Sequence, residues 1–250
     1  MRSIHISLNL ALLEFLPKLL TIGVIMKPIH IFYFSDLLCI WAYVSQIRLK
    51  ELKETFQDKI FIESHFVSVF GDVHGKLENR WNDKGGFKGY NKHIHEVAKK
   101  FDHITVHPDI WIQVIPPSST SCHLLLNAIR ILEMKECFEP SEMVFEKVTW
   151  AFREAFFARL ANVSDRKVQF EIVEELGLSI APIQAQIDSG EAYAQLSKDF
   201  DLVKEHTVTV SPTLIFNEGR QRLNGNVGYR VIEANIRELL HNPVGEQSWC

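Results

Sequence analysis

The sequence predicts an α/β fold in which a β-α-β segment and a β-β-α segment share one sheet, with a large all-helical block inserted between them. Three observations carry this. Short apolar runs rich in β-branched and aromatic residues cluster near the two ends, at residues 29–34, 59–70 and 207–223. Between about residues 84 and 206, apolar side chains recur at helical spacing instead. Neither strand group is a stable sheet alone, because two strands are at best marginal in water. The two halves therefore belong together, with the helical block against one edge or end of their sheet.

Residues 29–34 (IHIFYF) form a buried strand. It ends at Ser35-Asp36, two good helix-capping types. A helix over residues 40–56 follows. Its residues Ile40, Val44 and Ile47 share one face, and Leu49, Leu52 and Phe56 share nearly the opposite one, so it should be covered on two sides. Residues 59–70 (KIFIESHFVSVF) make the second strand, leading to a turn at Gly71-Asp72. Such a unit has parallel strands and a right-handed crossover.

A glycine-bearing loop spans residues 84–89. Helices are then predicted over 89–101, 119–136, 141–160, 164–176, 180–188 and 191–205. The third carries Phe145, Val148, Phe152 and Phe156 as a core stripe. The fourth opens on Ser164-Asp165 and stops at Gly177, a normal pair of caps. The β signals return at residues 207–210, and Ser211-Pro212 breaks them. Residues 213–216 (TLIF) and 220–223 form a hairpin about Asn217-Glu218-Gly219. After the loop 224–228, a last helix covers residues 229–240 and ends at Asn242-Pro243.

These boundaries divide the chain into an N-terminal extension (1–25), a split α/β domain (26–83 and 207–245) and an inserted helical domain (84–206). The extension is apolar, but Glu14, Pro17 and Lys18 interrupt it. It meets neither the ~20 apolar residues of a membrane span nor an export signal's uninterrupted core. Met26 directly precedes the first convincing strand and is the preferred natural start, with a degenerate export signal or an interfacial helix as the alternatives.

The chain has 250 residues, 46% hydrophobic and 23% charged, an ordinary globular composition with enough apolar material for a sizeable core. Its net charge is −4, with no Lys/Arg run interleaved with aromatics, which argues against a nucleic-acid partner. Four cysteines, Cys39, Cys122, Cys137 and Cys250, show neither C-x-x-C nor zinc spacing. Reduced thiols in a cytoplasmic protein are the plainer reading. His93 and His95 are two apart on a helix and point to different sides, so no metal is expected.

Cys39 stands where the first strand meets the first long helix. The unpaired amides and positive dipole end of a helix start favour a thiolate, which makes Cys39 the expected most reactive thiol. Cys122 and Cys137 read as buried core. Pro212 starts a strand, where no ladder amide is needed. The loop at Gly225, Asn226 and Val227 opens the last helix, and such amides suit a carboxylate, with Arg230 a helper.

Phe34-Ser35-Asp36-Leu37-Leu38-Cys39-Ile40-Trp41-Ala42-Tyr43 resembles the active-site entrance of DsbA-family proteins, whose pattern is an Asp, two small apolar residues and Cys-Pro-Trp-Cys-Tyr. Val210-Ser211-Pro212-Thr213-Leu214-Ile215 resembles the family's cis-proline stretch, and the segment from Asn162-Val163-Ser164-Asp165 to Gly177-Leu178 resembles the helix pair before it. The resemblance covers about residues 29–240 and implies a thioredoxin fold with a helical insertion. It implies Cys39 as nucleophile, Trp41 as neighbouring surface, and Ser211 and Pro212 as the backbone beside a bound thiol substrate. It places the γ-glutamyl end of glutathione at Gly225, Asn226 and Val227. The chain departs from the pattern at Ile40, at Val210 and above all at Ala42, where the family has its second cysteine.

One thiol cannot store electrons as an internal disulfide, but it can hold a mixed disulfide that an outside thiol releases. The sequence therefore predicts a monothiol thiol-disulfide oxidoreductase with glutathione as co-substrate and no permanently bound cofactor. A glutathione-dependent isomerase or transferase, resembling the 2-hydroxychromene-2-carboxylate isomerases and kappa-class glutathione transferases, is the first alternative. A non-catalytic thioredoxin-fold binding module is the second. The expected partner is a small thiol or disulfide, with no nucleic acid and no membrane span, and a homodimer is allowed.

Overall fold

The computed structural model describes residues 27–241. The expectations for the N-terminal extension, the 242–243 helix stop and Cys250 fall outside the described residues. The strands are β1 (Ile29–Ser35), β2 (Ile60–Phe66), β3 (Thr213–Phe216) and β4 (Gln221–Asn224). They form one sheet in the order β2-β1-β3-β4. β1 runs parallel to β2 with Tyr33 opposite Ser64, and antiparallel to β3 with Tyr33 opposite Leu214. The two ends of the chain thus complete each other across β1.

Helix α1 (Ile40–Phe56) has the expected bounds. It and α9 (Tyr229–His241) cover one sheet face, where Ile31, Leu52, Leu214, Phe216 and Ile236 form a core. On the other face Phe34, Val67 and Ile215 meet α8 (Glu191–Glu205). Alternation along β1 explains both, since Ile29, Ile31 and Tyr33 point one way and Phe32 and Phe34 the other. Ile47 of α1 departs from expectation: it is 47% exposed. The covering helix α5 (Val144–Phe157) stands back from it and leaves a cavity between them.

Helix α2 (Val73–Trp81) follows β2, and the inserted helices include α3 (Gly86–Ala98), α4 (Thr120–Met134), α5, α6 (Arg166–Glu175), α7 (Ile180–Asp188) and α8. The aromatic stripe of α5 is buried at Phe145, Val148, Phe152 and Phe156. Gly177 takes φ 75° after α6, a left-handed turn that glycine adopts without steric cost. The block is held to edge strand β2 by buried ionic groups. Asp199 of α8 lies 2.9 Å from His65 Nδ1 and 2.8 Å from an Arg130 guanidinium nitrogen, and takes a hydrogen bond from Asn127 at 3.1 Å.

Three local expectations differ. The second strand stops at Phe66, because Val67 to Phe70 turn away to hold the segment before α1. Residues 207–210 are not a strand, since Thr207 sits at φ 50°. Helix α2 stands where only a turn was expected. Its start is fixed by Asp72, whose carboxylate accepts from the Gly75 amide at 3.0 Å. Among the described residues, no helix is long and apolar enough to cross a membrane.

Candidate active site

Cys39 is the N-cap residue of α1, and its carbonyl accepts from the amides of Ala42 and Tyr43 at 3.1 Å. Its thiol donates to the carbonyl oxygen of Ser211 at 3.3 Å. The Ser211–Pro212 bond is cis. The hydroxyl oxygen of Ser211 accepts from the Asp36 amide at 2.9 Å. Three residues singled out in the sequence, Cys39, Ser211 and Pro212, are therefore brought together.

The thiol's ionisation departs from expectation. Burial pushes the Cys39 thiol up, the Ser211 side chain and the Ala42 amide pull it down, Asp36 adds to the rise, and the net direction is upward. The helix-start amides are present, but with only 6% of Cys39 exposed the loss of water outweighs them. An S–H aimed at a carbonyl lone pair is likewise a contact of the protonated form. Among the described residues the most accessible cysteine is instead Cys137, which is exposed and not core. Cys122 is buried as expected; it donates to Val163 O at 2.9 Å, and burial pushes its thiol far up.

The turn carrying Cys39 is tied down by groups whose role the sequence left unread. Asp36 is fully buried. Its Oδ1 accepts from the Leu38 amide at 2.9 Å, and its Oδ2 accepts from the Phe70 amide at 2.7 Å and the Ser119 hydroxyl at 2.8 Å. His123 of α4 accepts from the Leu37 amide through Nε2 at 3.1 Å, which puts the ring proton on Nδ1. Burial pushes the pKa of His123 down against the opposing pull of Asp36 and Asp199, so the ring is neutral. A fixed carboxylate and a fixed imidazole thus shape the approach to the cysteine. The available signal was a lone charge inside an apolar entrance and a polar pair, His123 and Asn127, four apart on an apolar helix.

Lys76 of α2 is the cation on this side. Its ammonium lies 4.0 Å from the Phe70 ring centre and donates to Val69 O at 3.1 Å. Burial lowers its pKa, while Asp36 and Cys39 oppose that. Its role was hidden because the helix that carries it was not foreseen.

Trp41 is half-buried, edge-on to Phe101 with ring centres 6.4 Å apart. In the loop before α9, the Gly225 amide donates to Pro212 O at 2.7 Å and the Val227 amide to Gly225 O at 3.0 Å. Two of the amides considered for a carboxylate are therefore used within the protein. Arg48 of α1 reaches this loop, donating to Asn226 Oδ1 at 2.5 Å and Val227 O at 3.1 Å. The structure thus brings a cation from α1 to the loop.

A family model described as a DSBA-like thioredoxin domain matches residues 30–237. The ClpXP adapter protein SpxH of Halalkalibacterium halodurans is 24% identical over 225 residues, covering 86% of this chain and 68% of that protein. The fold is similar to that of a probable DsbA oxidoreductase from Streptomyces coelicolor, with a TM-score of 0.66 at 15% identity over 88% of this chain and 94% of that one. It is also similar to the cytosolic disulfide reductase DsbM of Pseudomonas aeruginosa with GSH, with a TM-score of 0.59 at 16% identity over 83% and 99% of the two chains.

Proposed function

The chain belongs to the DSBA-like thioredoxin domain family, and from that premise we propose that it is a thiol-disulfide oxidoreductase acting through Cys39 alone, with glutathione as co-substrate. The observation that carries this reading is the Cys39 thiol seated 3.3 Å from the Ser211 carbonyl on the cis-proline turn, with Ala42 where a second cysteine would stand.

The raised thiol pKa favours the reductive direction. A site that does not stabilise its thiolate gives a weakly oxidising mixed disulfide, the opposite of a strong oxidant with a stabilised reduced form. Cys39 attacks a glutathione mixed disulfide R–S–S–G as thiolate, forming Cys39–S–S–G and releasing R–S⁻, which takes up a proton. Glutathione then attacks the glutathione sulfur of that adduct, restoring the Cys39 thiol and releasing oxidised glutathione. The net reaction converts R–S–S–G and glutathione to R–SH and oxidised glutathione. Ser211 and Pro212 present the edge against which the bound thiol lies, and Trp41 supplies adjoining surface. Of the loop Gly225, Asn226 and Val227, the Asn226 amide, with Arg48 beside it, takes the γ-glutamyl carboxylate, since the other two amides donate within the protein.

The test is Cys39→Ser. Serine forms no disulfide, so reduction of a glutathione mixed disulfide by the variant should be abolished. Glutathione-dependent turnover of a cis-enone or electrophile retained by the variant would instead establish the isomerase or transferase alternative.

Two observations favour a binding-module reading: Cys39 is only 6% exposed, and position 42 is alanine. One similar protein, SpxH, is named a ClpXP adapter protein. The mass of the purified protein after exposure to oxidised glutathione separates the readings. An adduct on Cys39 supports the redox reading; no adduct and no thiol-linked turnover leave the binding module.

A further inference from the structure

A cavity of about 750 Å³ lies between α1 and α5, over the sheet face formed by β1 and β2. Tyr33, Ser35 and Ile62 belong to its floor, and Ile47 and Trp150 stand on facing walls. Cys39 is not among its lining residues. The volume falls within the ~300–1,000 Å³ typical of small-molecule sites.

Arg153 of α5 lines the same cavity and is 1% exposed. A buried guanidinium normally has a carboxylate beside it, because its lost hydration must be replaced. This one donates to Gln46 Oε1 and, at 3.3 Å, to the Ser35 hydroxyl, both neutral, and its Nε has no partner. The tyrosine hydroxyl at its side is neutral too, since burial holds Tyr33 protonated. Among the described residues it makes no ion pair. Lys50 pairs with Glu54 at 3.8 Å and Lys53 with Glu146, and Lys147 and Glu154 also line the cavity.

We propose that this cavity binds a small monocarboxylate with an apolar body, its anionic end paired with Arg153. The carboxylate would supply the charge that the protein withholds from the guanidinium, and the apolar walls would take the rest of the molecule. A neutral ligand would leave the guanidinium without its counter-charge, so the cavity should discriminate by charge.

Calorimetric titration of the full chain with 4-butylbenzoate and with neutral 4-butylbenzyl alcohol tests this. The carboxylate should bind roughly tenfold more tightly than the alcohol, as a charge-assisted hydrogen bond implies. Arg153→Gln should remove that preference. Ile47→Trp, at an exposed wall position where folding is spared, should weaken both probes by filling the cavity. Cys39→Ala should leave both unchanged. The proposal is overturned if wild type binds neither probe below millimolar concentration or binds both alike. It is equally overturned if Ile47→Trp has no effect, or if Cys39→Ala abolishes binding and so places the ligand at the thiol.

Discussion

Asp36 and Ser211, 175 positions apart in the chain, are joined by a buried hydrogen bond of 2.9 Å from the Asp36 amide to the Ser211 hydroxyl. Through it the turn before α1 is fixed to the cis-proline turn before β3, and Cys39 meets the Ser211 carbonyl. Ser211→Ala leaves that buried amide without its acceptor. The expected cost is about 1–3 kcal/mol of stability. Loss of the hydroxyl also removes a group that lowers the Cys39 pKa, so alkylation of Cys39 should slow. Denaturant melts and alkylation rates on one variant check both, and unchanged values would deny the coupling.

Cys39 and Cys137 should label in the reverse of the order their sequence positions suggest. Cys137 is exposed, while Cys39 is buried and its pKa lies above the ordinary thiol value because of that burial. At neutral pH iodoacetamide should modify Cys137 first. Since only the thiolate reacts, the Cys39 rate should rise about tenfold per pH unit through the ordinary thiol pKa without levelling off there. Peptide mapping across a pH series reads both; a plateau for Cys39 below neutrality would contradict the buried, protonated thiol.

Ala42→Cys should restore the paired thiols. Ala42 is buried in the first turn of α1, and its amide donates to Cys39 O at 3.1 Å, so the two side chains leave the same turn. Air oxidation of the variant should then hide two thiols from titration under denaturing conditions. Full thiol counts after oxidation would show that the turn keeps the sulfurs beyond disulfide reach.

The acid limb of stability should depend on Asp199. Burial pushes its carboxyl up, but the His65 hydrogen bond and the Arg130 guanidinium outweigh this and hold it below the usual carboxylate value. A folded pKa below the unfolded one contributes stability that is complete above about pH 4 and lost as pH falls through the lowered value. Asp199→Asn should cost about 3–5 kcal/mol at neutral pH by leaving Arg130 short of its partner, and should flatten the decline below about pH 4. Stability curves against pH for the two proteins test the sign; parallel curves would rule out this carboxylate as a source of the acid dependence.

The sequence by itself determined most of the elements and their order, with α2 the main omission. Local chemistry was enough for α1, because strand period, capping types at Ser35-Asp36 and helical spacing all lie within one short window, and its bounds at Ile40–Phe56 match. The same holds for the parallel pairing of β1 with β2 and for the missing second cysteine at Ala42. Only the tertiary structure decided the charge states. The thiol of Cys39 stays protonated because chain segments 172 positions away cover it, and solvent loss there exceeds what the helix start provides. Burial of Arg153 without a carboxylate, exposure of Ile47 and Cys137, and the four-residue grip on Asp36 likewise depend on distant packing. Hydrophobic periodicity reports which face of an element is apolar, but desolvation depends on what else arrives there, and that information is spread over the whole chain.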